Sequence, residues 1–315
     1  MKYLVSIIIP VYNSEKYIEQ TLRSCLSQSY TNIELVIIND GSNDISEKII
    51  FHTIKDISSN RIKYLYQNNE GLCAARNKGI ALAEGYFVLF LDSDDLLFPN
   101  SIQLLVSAIA DYDVVIGSWN DFDSESQKIL HEVKYESDIN DNCLVSYLRH
   151  KPTVSTSLLR KSSLIFWDKT LRTWDVTKYF LDLFAMHRTF KFINKTVTSI
   201  RQHNSPNRLS ILNNHFEPSY SSSFFVDCKK LLKNSGFLNE ESEKILDKEI
   251  INYIYKAYQK ENDSTCRTNF SYINLNLVNR YPEFARYGLY YFIHFFRGIK
   301  GLIIFKKINT FLGRT

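Results

Sequence analysis

The stretch Tyr86-Phe87-Val88-Leu89-Phe90-Leu91-Asp92-Ser93-Asp94-Asp95 decides the fold, because an unbroken apolar run ends in three carboxylates. A run this short, followed by turn residues, is typical of a strand that is buried on both faces. Such strands occupy parallel sheets, and open parallel sheets bind their ligands beyond the carboxyl ends of the strands. We therefore expect a parallel sheet with a ligand site at the aspartate-rich turn.

The residues on either side of this stretch alternate regularly between strand and helix patterns. Short runs rich in β-branched and apolar residues indicate strands over residues 5–9, 33–38, 62–66, 86–91 and 113–117. Apolar residues at helical spacing indicate helices over residues 15–28, 45–54, 72–83 and after Pro99. This alternation predicts an α/β fold built from βαβ units, with a mostly parallel sheet and flanking helices.

The pattern changes in the second half of the chain. Residues 122–135 fit either a strand pair or a surface excursion, and they are followed by a helical pattern at 142–150 and an extended one at 153–159. Further helical patterns lie at 224–232, 240–258 and 272–278. Because a loop-forming stretch begins at His203, we place a boundary near residue 212. The prediction is a first domain over 1–212 and a helical C-terminal region over 213–315.

Composition narrows the classes of function. The chain has 315 residues, is 44% hydrophobic and carries a formal net charge of only +4, so we expect no nucleic-acid partner. Its five cysteines form no CxxC pair, which argues against a disulfide framework and a zinc knuckle and fits a reducing cytoplasm. The apolar run near the start is interrupted by Pro10 and is too short for a targeting segment. We expect a cytoplasmic protein.

Polar residues follow three of the predicted strands: Asn13, Asp40 and the turn that contains Asp92 and Asp94. Carboxylates at positions i and i+2 of an extended chain point to the same side, and they repel one another unless a cation lies among them. Hard oxygen ligands suit Mg²⁺ or Mn²⁺, commonly shared with a diphosphate. The alternative is that the turn only caps the helix that follows Pro99.

Residues 69–77 place a predicted helix N-terminus and Arg76 near the same edge of the sheet. Both features favour phosphate binding. The alternative is an exposed arginine that is only solvated.

These segments resemble the family 2 glycosyltransferases in their order and spacing. The resemblance rests on four motifs: Val5-Ser6-Ile7-Ile8-Ile9-Pro10-Val11-Tyr12-Asn13, Asn39-Asp40-Gly41-Ser42-Asn43-Asp44, Gly71 to Gly79 with Ala75-Arg76-Asn77, and Leu91-Asp92-Ser93-Asp94-Asp95. It implies a GT-A fold, a divalent metal and inversion at the anomeric carbon of the transferred sugar.

The resemblance also implies roles for residues of the first half. Pro10, Tyr12 and Asp40 would hold the base of a nucleotide donor, with Arg76 near the base or the diphosphate. Asp92 would contact the ribose or the metal, and Asp94 would bind the metal.

Residues of the second half take their roles from the same resemblance. Asp175 would be the catalytic base, and Trp174 stands where a glutamate is usual in the family. Asp168 is the competing candidate for the base. Arg201 or His203 would lie near the diphosphate or the metal, with His203 either a metal ligand or a structural residue.

The predicted activity is transfer of a sugar, with inversion, from a nucleotide-sugar donor, UDP-linked by family tendency, to a hydroxyl of a glycan or lipid-linked glycan acceptor. Such a reaction would fit surface polysaccharide assembly. One alternative is a nucleotidyltransferase, although Pro10-Val11-Tyr12-Asn13 is not the glycine-rich loop that such enzymes ordinarily carry. The others are a non-catalytic nucleotide-binding module and a polyprenyl-phosphate sugar synthase.

The last 32 residues, 284–315, interleave arginines and lysines with aromatic residues and contain no acidic residue. One reading is an interfacial helix that makes a peripheral contact with an anionic membrane. The other is a helix that packs back on the domain, with its lysines reaching water.

Overall fold

The computed structural model describes residues 3–57, 61–139, 141–171, 173–203 and 218–260. The chain divides into two compact units, one over residues 1–213 with 235–237 and one over residues 214–234 with 238–315. The predicted loop after His203, the helix at 272–278 and the basic aromatic segment at 284–315 lie outside the described residues.

Within the described part of the first unit, helices alternate with strands. The strands are β1 (Val5–Val11), β2 (Ile33–Asp40), β3 (Ile62–Gln67), β4 (Phe87–Phe90), β5 (Leu96–Leu97), β6 (Val114–Asp123), β7 (Ile129–Val133), β8 (Ser157–Arg160) and β9 (Phe190–Gln202). The helices are α1 (Ile18–Leu26), α2 (Ser46–Ile54), α3 (Leu72–Leu82), α4 (Ser101–Ile109), α5 (Cys143–His150) and α6 (Asp175–Ala185). The alternation predicted for the first 120 residues is confirmed.

All the strands described belong to one sheet, in the order β3-β2-β1-β4-β8-β6-β9-β5, with β7 paired to β6. The first four strands are mutually parallel, as predicted. The other half is mixed, because β8 runs antiparallel to both β4 and β6, whereas β6 and β9 are parallel. Residues 122–135 form a strand pair, since β6 extends to Asp123 and β7 returns antiparallel to it.

Burial explains why the apolar runs become strands. All residues of β1, β2 and β4 are buried, which matches strands covered by helices on both faces. Helix α3 packs closely on β1, because a Cβ built at Gly79 would lie 2.2 Å from Cγ2 of Ile8. This close approach brings the start of α3 to the edge of the sheet where β1 and β2 end.

The second unit contains helices α7 (Pro218–Asn234) and α8 (Glu240–Lys260) in its described part. The start of α8 is capped by reciprocal hydrogen bonds between Asn239 and Ser242, at 3.0 and 2.8 Å. Lys229 of α7 pairs with Glu243 and Asp247 of α8. In the described part of the chain, no helix combines the length and the apolar character needed to cross a membrane.

Candidate active site

Asp40 ends β2 and organises the loop that leads into α3. Its buried carboxylate accepts hydrogen bonds from Nε2 of Gln67 at 2.7 Å, the backbone N–H of Glu70 at 2.9 Å and that of Gly71 at 2.9 Å. The neighbouring Gly41 has a φ of +74°, and a Cβ there would lie 2.7 Å from the backbone nitrogen of Asn69. Asp40 and Gly41 thus hold the end of β2 against residues 67–71. A hydrogen bond between Asp40 and a nucleotide base stays a prediction.

The end of β1 contributes an aromatic ring to the same edge. Tyr12 is 45% exposed, whereas Pro10 is buried within the strand. Proline is tolerated at this point because the β1–β4 ladder covers only Val5 to Ile8. An exposed ring at the carboxyl end of a strand is available for stacking on a planar ligand.

The aspartate-rich sequence forms a turn, in which the backbone N–H of Asp95 donates to the carbonyl of Asp92 at 3.1 Å. Asp95 is a buried anchor of the turn, since its carboxylate accepts from Ser155 Oγ at 2.8 Å and from the backbone N–H of Arg201 at 3.2 Å. Burial raises the pKa of Asp95 well above its usual value, and Asp94 and Asp92 add to the rise. Asp95 does not cap α4, which begins only at Ser101.

The turn also decides where its other two carboxylates point. Oδ2 of Asp94 lies 2.9 Å from Nε2 of His203, whereas Oδ1 of Asp92 lies 2.9 Å from Nη2 of Arg76. Asp94 thus pairs with His203 and Asp92 with Arg76, and a metal held by Asp92, Asp94 and His203 stays a prediction. Among the residues that the structure describes, no group of three or more His, Cys, Asp or Glu side chains is placed to hold a metal ion.

Asp94 and His203 remain a fitting pair for a divalent cation whose other ligands come from a bound molecule. The imidazole of His203 is only 7% exposed and is held against the ring of Tyr17, with the ring centroids 4.7 Å apart. A carboxylate oxygen and an imidazole nitrogen, both fixed in place, suit Mn²⁺ and, with more oxygen ligands added, Mg²⁺.

Arg201 supports this pair from within the protein. It is 2% exposed, its Nε donates to the carbonyl of Asp94 at 2.8 Å and its Nη2 donates to Gln20 at 2.7 Å. Burial lowers its pKa, and the nearby Asp94 opposes that shift. Arg201 thus stabilises the turn through its contact with Asp94. A contact between Arg201 and a diphosphate stays a prediction.

Arg76 connects the aspartate-rich turn to the start of helix α6. Its Nη1 lies 2.6 Å from Oδ2 of Asp175, while Nη2 contacts Asp92 as given above. Its guanidinium lies 4.3 Å from the ring centre of Trp167, and the side chain is 1% exposed. Trp167 is held in turn by two hydrogen bonds between its backbone and the side chain of Asn77, at 2.7 and 2.9 Å.

The two candidates for the catalytic base differ in position. Asp175 is the first residue of α6, and its carboxylate is 19% exposed and paired with Arg76. Asp168 is exposed, and one of its oxygens accepts from the backbone N–H and the hydroxyl of Thr170 at 2.9 and 2.6 Å. These hydrogen bonds lower the pKa of Asp168. The role of Asp175 as the base stays a prediction, and Trp174 precedes it with a left-handed φ of +61°.

Several residues of the site belong to no sequence motif. Ser14 and Ser93 join β1 to the turn through their hydroxyls, at 2.6 Å. Ser155 donates to Asp95 and accepts from the backbone N–H of Asp92 at 3.3 Å. No signal in the sequence separates these serines from surface serines, since their partners lie at least 60 residues away along the chain.

Known proteins similar to this chain are named as glycosyltransferases. Relatives from Streptococcus pneumoniae serotype 4 include the glycosyltransferase GlyA, 38% identical over 145 residues, and the glycosyltransferase GlyG, 37% identical over 126 residues. The matched segments cover 44% and 39% of this chain but only 20% and 41% of those relatives, so the chain spans less than half of their length.

Solved structures resemble the chain over a longer stretch. S. aureus TarS 1-349 has a TM-score of 0.63 and 18% identity, and the match covers 92% of this chain and 79% of TarS. The complex of the same protein with UDP-GlcNAc has a TM-score of 0.62 and 19% identity, covering 91% and 81%. This likeness confirms the predicted GT-A type of fold. The sequence model described as glycosyl transferase family 2 matches residues 6–165, slightly more than half of the chain. The chain therefore belongs to glycosyl transferase family 2.

Proposed function

We propose that the chain transfers a sugar from a nucleotide-sugar donor to an acceptor hydroxyl, with inversion at the anomeric carbon. The observation that carries the proposal is the ion-pair chain from Asp92 through Arg76 to Asp175, because it connects the aspartate-rich turn to the carboxylate that we propose as the base. Family membership and the complex of TarS with UDP-GlcNAc support a donor of this class, and a UDP-linked sugar is the first choice.

The oxygen of Asp175 that is not paired with Arg76 would take the proton of the acceptor hydroxyl as the new glycosidic bond forms. A sugar hydroxyl is too weak an acid to ionise at neutral pH, and general-base help of this kind contributes ~10²–10⁴-fold to the rate. Because the base acts on the acceptor and no covalent intermediate is formed, the configuration at the anomeric carbon inverts.

On the donor side, Tyr12, Pro10 and Asp40 would hold the base of the nucleotide at the ends of β1 and β2. Asp94 and His203 would hold Mn²⁺ or Mg²⁺, which when bound supplies Lewis-acid stabilisation of the departing diphosphate. Arg201 would keep the turn and its carboxylates in place, and Arg76 would keep Asp92 oriented toward the ribose.

We further propose a glycan or lipid-linked glycan as the acceptor, within surface polysaccharide assembly at the cytoplasmic face of the membrane. The support is the family and the basic aromatic composition of residues 284–315, which would make a peripheral membrane contact.

The donor site is tested by thermal shift with a panel of nucleoside diphosphates, with and without Mn²⁺, on the wild type and Asp94→Ala. We expect selective, metal-dependent stabilisation by UDP that Asp94→Ala loses. No stabilisation of the wild type by any nucleotide would contradict the proposal. In turnover assays, release of nucleoside diphosphate supports sugar transfer, whereas release of pyrophosphate would indicate a nucleotidyltransferase.

A further inference from the structure

We propose that Arg76 is a positioning residue for the transfer step, which fixes one oxygen of Asp175 and leaves the other free for the acceptor. This inference rests on the proposed function and assigns to Arg76 a role other than ligand binding. Its basis is the burial of Arg76 together with the exposure of both its partners.

The exposures show on which side of the carboxylates the guanidinium lies. Arg76 is 1% exposed, whereas the side chains of Asp175 and Asp92 are 19% and 34% exposed. The guanidinium therefore lies on the interior side, and the carboxylates lie between it and solvent. A bound donor or acceptor reaches the two aspartates first, so the effect of Arg76 on the reaction passes through them.

The planar fork of arginine suits this task. One terminal nitrogen binds Asp175 at 2.6 Å and the other binds Asp92 at 2.9 Å, so a single side chain sets the orientation of both carboxylates. The guanidinium carbon lies over the ring of Trp167, 4.3 Å from its centre, so the ring adds a cation–π contact that helps to hold the fork in place. Lysine would keep the charge but would offer a point contact in place of the fork.

The Nε nitrogen of Arg76 is buried and finds no hydrogen-bond acceptor among the residues that the structure describes. A buried arginine selected only for stability would be expected to use all its donors, since an unsatisfied buried donor lowers stability. The arrangement instead favours the two bonds to the aspartates.

The test is a kinetic comparison of wild type, Arg76→Lys, Asp175→Asn and the double variant, with UDP-sugar turnover as the readout. We expect Arg76→Lys to lower kcat at least 10-fold while the KM for the donor changes less than about 3-fold. On the Asp175→Asn background the same substitution should have almost no further effect, because the base it positions is already gone.

Arg160→Lys is the matched control, since Arg160 also stacks over aromatic rings, 5.4 Å from the ring of Tyr86, but contacts no residue of the site. Thermal unfolding and UDP binding of each variant separate misfolding from misplacement of the base. An unchanged kcat in Arg76→Lys, an effect confined to the donor KM, or full additivity with Asp175→Asn would each overturn the inference. A wild type without any sugar transfer would overturn the proposed function first, and this inference with it.

Discussion

At the scale of single residues, the site is held by short bonds between charged groups whose exposure differs sharply. Asp95, Arg76 and Arg201 are buried, while Asp92, Asp94 and Asp175 keep part of their surface in contact with solvent. Bonds in which donor or acceptor is ionised are stronger than neutral ones, particularly where water is excluded. The buried residues thus fix the orientation of the partly exposed carboxylates.

Replacing Asp175 by Asn should lower transfer by ~10²–10⁴-fold, because the amide cannot accept the acceptor's proton. Initial rates of sugar transfer measure the loss, and UDP binding should persist. Asp168→Asn is the control, because that side chain is exposed and bonded to Thr170, and it should keep wild-type rates. The reverse result for the two variants would move the base to Asp168.

At the scale of elements, two positions show how closely helix geometry is tied to residue type. Gly79 lets α3 approach β1, as described above. Ala110 follows the last residue of α4 with a φ of +34° and a ψ of −115°, a backbone conformation that suits glycine rather than alanine. We therefore expect glycine to be the better residue at both positions, so that Ala110→Gly stabilises the protein and Gly79→Ala destabilises it.

Ala110→Gly should stabilise the protein by about 1 kcal/mol, because glycine adopts a positive φ without the steric strain of a Cβ. Ala110 is exposed, so no packing is lost. Urea unfolding measures the change in the free energy of unfolding, and a loss of stability would show that the strain has been misjudged.

Gly79→Ala should destabilise the protein by about 1–3 kcal/mol, because the new methyl group overlaps Ile8 and the helix must shift. Lys78→Ala, on the exposed side of the same helix, is the control and should lie within about 0.5 kcal/mol of wild type. Equal unfolding midpoints for the two variants would refute the tight contact.

The sequence predicts some elements better than others for physical reasons. β1, β2 and β4 are buried along their whole length and are mostly apolar, so their strand patterns are easy to recognise in the sequence. β9 is not predicted from the sequence pattern, because Lys191, Asn194 and Lys195 interrupt it. The α6 helix was not foreseen, since its start follows a left-handed tryptophan instead of a capping residue. The roles of Arg76 and Arg201 depend on partners far away in the sequence.

At the scale of the whole molecule, a buried carboxylate at the opposite end of the strands ties several segments together. Glu34 accepts from Ser6 of β1, from the backbone of Glu84 and Gly85, and from Lys63 of β3 at 3.0 Å. Burial alone would raise the pKa of Glu34, but these hydrogen bonds and Lys63 outweigh it, and the pKa is lowered.

Glu34 should therefore make the protein acid-sensitive. A lowered pKa in the folded state means that its contribution is complete above the ordinary glutamate pKa of about 4.3 and is lost as pH falls through the folded value. Thermal unfolding between pH 7 and pH 3 measures this. Glu34→Gln should be less stable than wild type at pH 7 and should lose less stability on acidification, and identical slopes would contradict the assignment.

The four-residue strand β8 has a consequence for how the sheet opens. Two of its residues pair with β4 and three pair with β6, so the parallel half and the mixed half of the sheet are joined through this short strand, which we call the seam. Asp94 follows β4 on one side of that seam, and His203 follows β9 on the other. A molecule that bridges these two side chains would clamp the halves together. Amide hydrogens of Ser157 to Arg160 should then exchange with solvent deuterium more slowly once a ligand is bound.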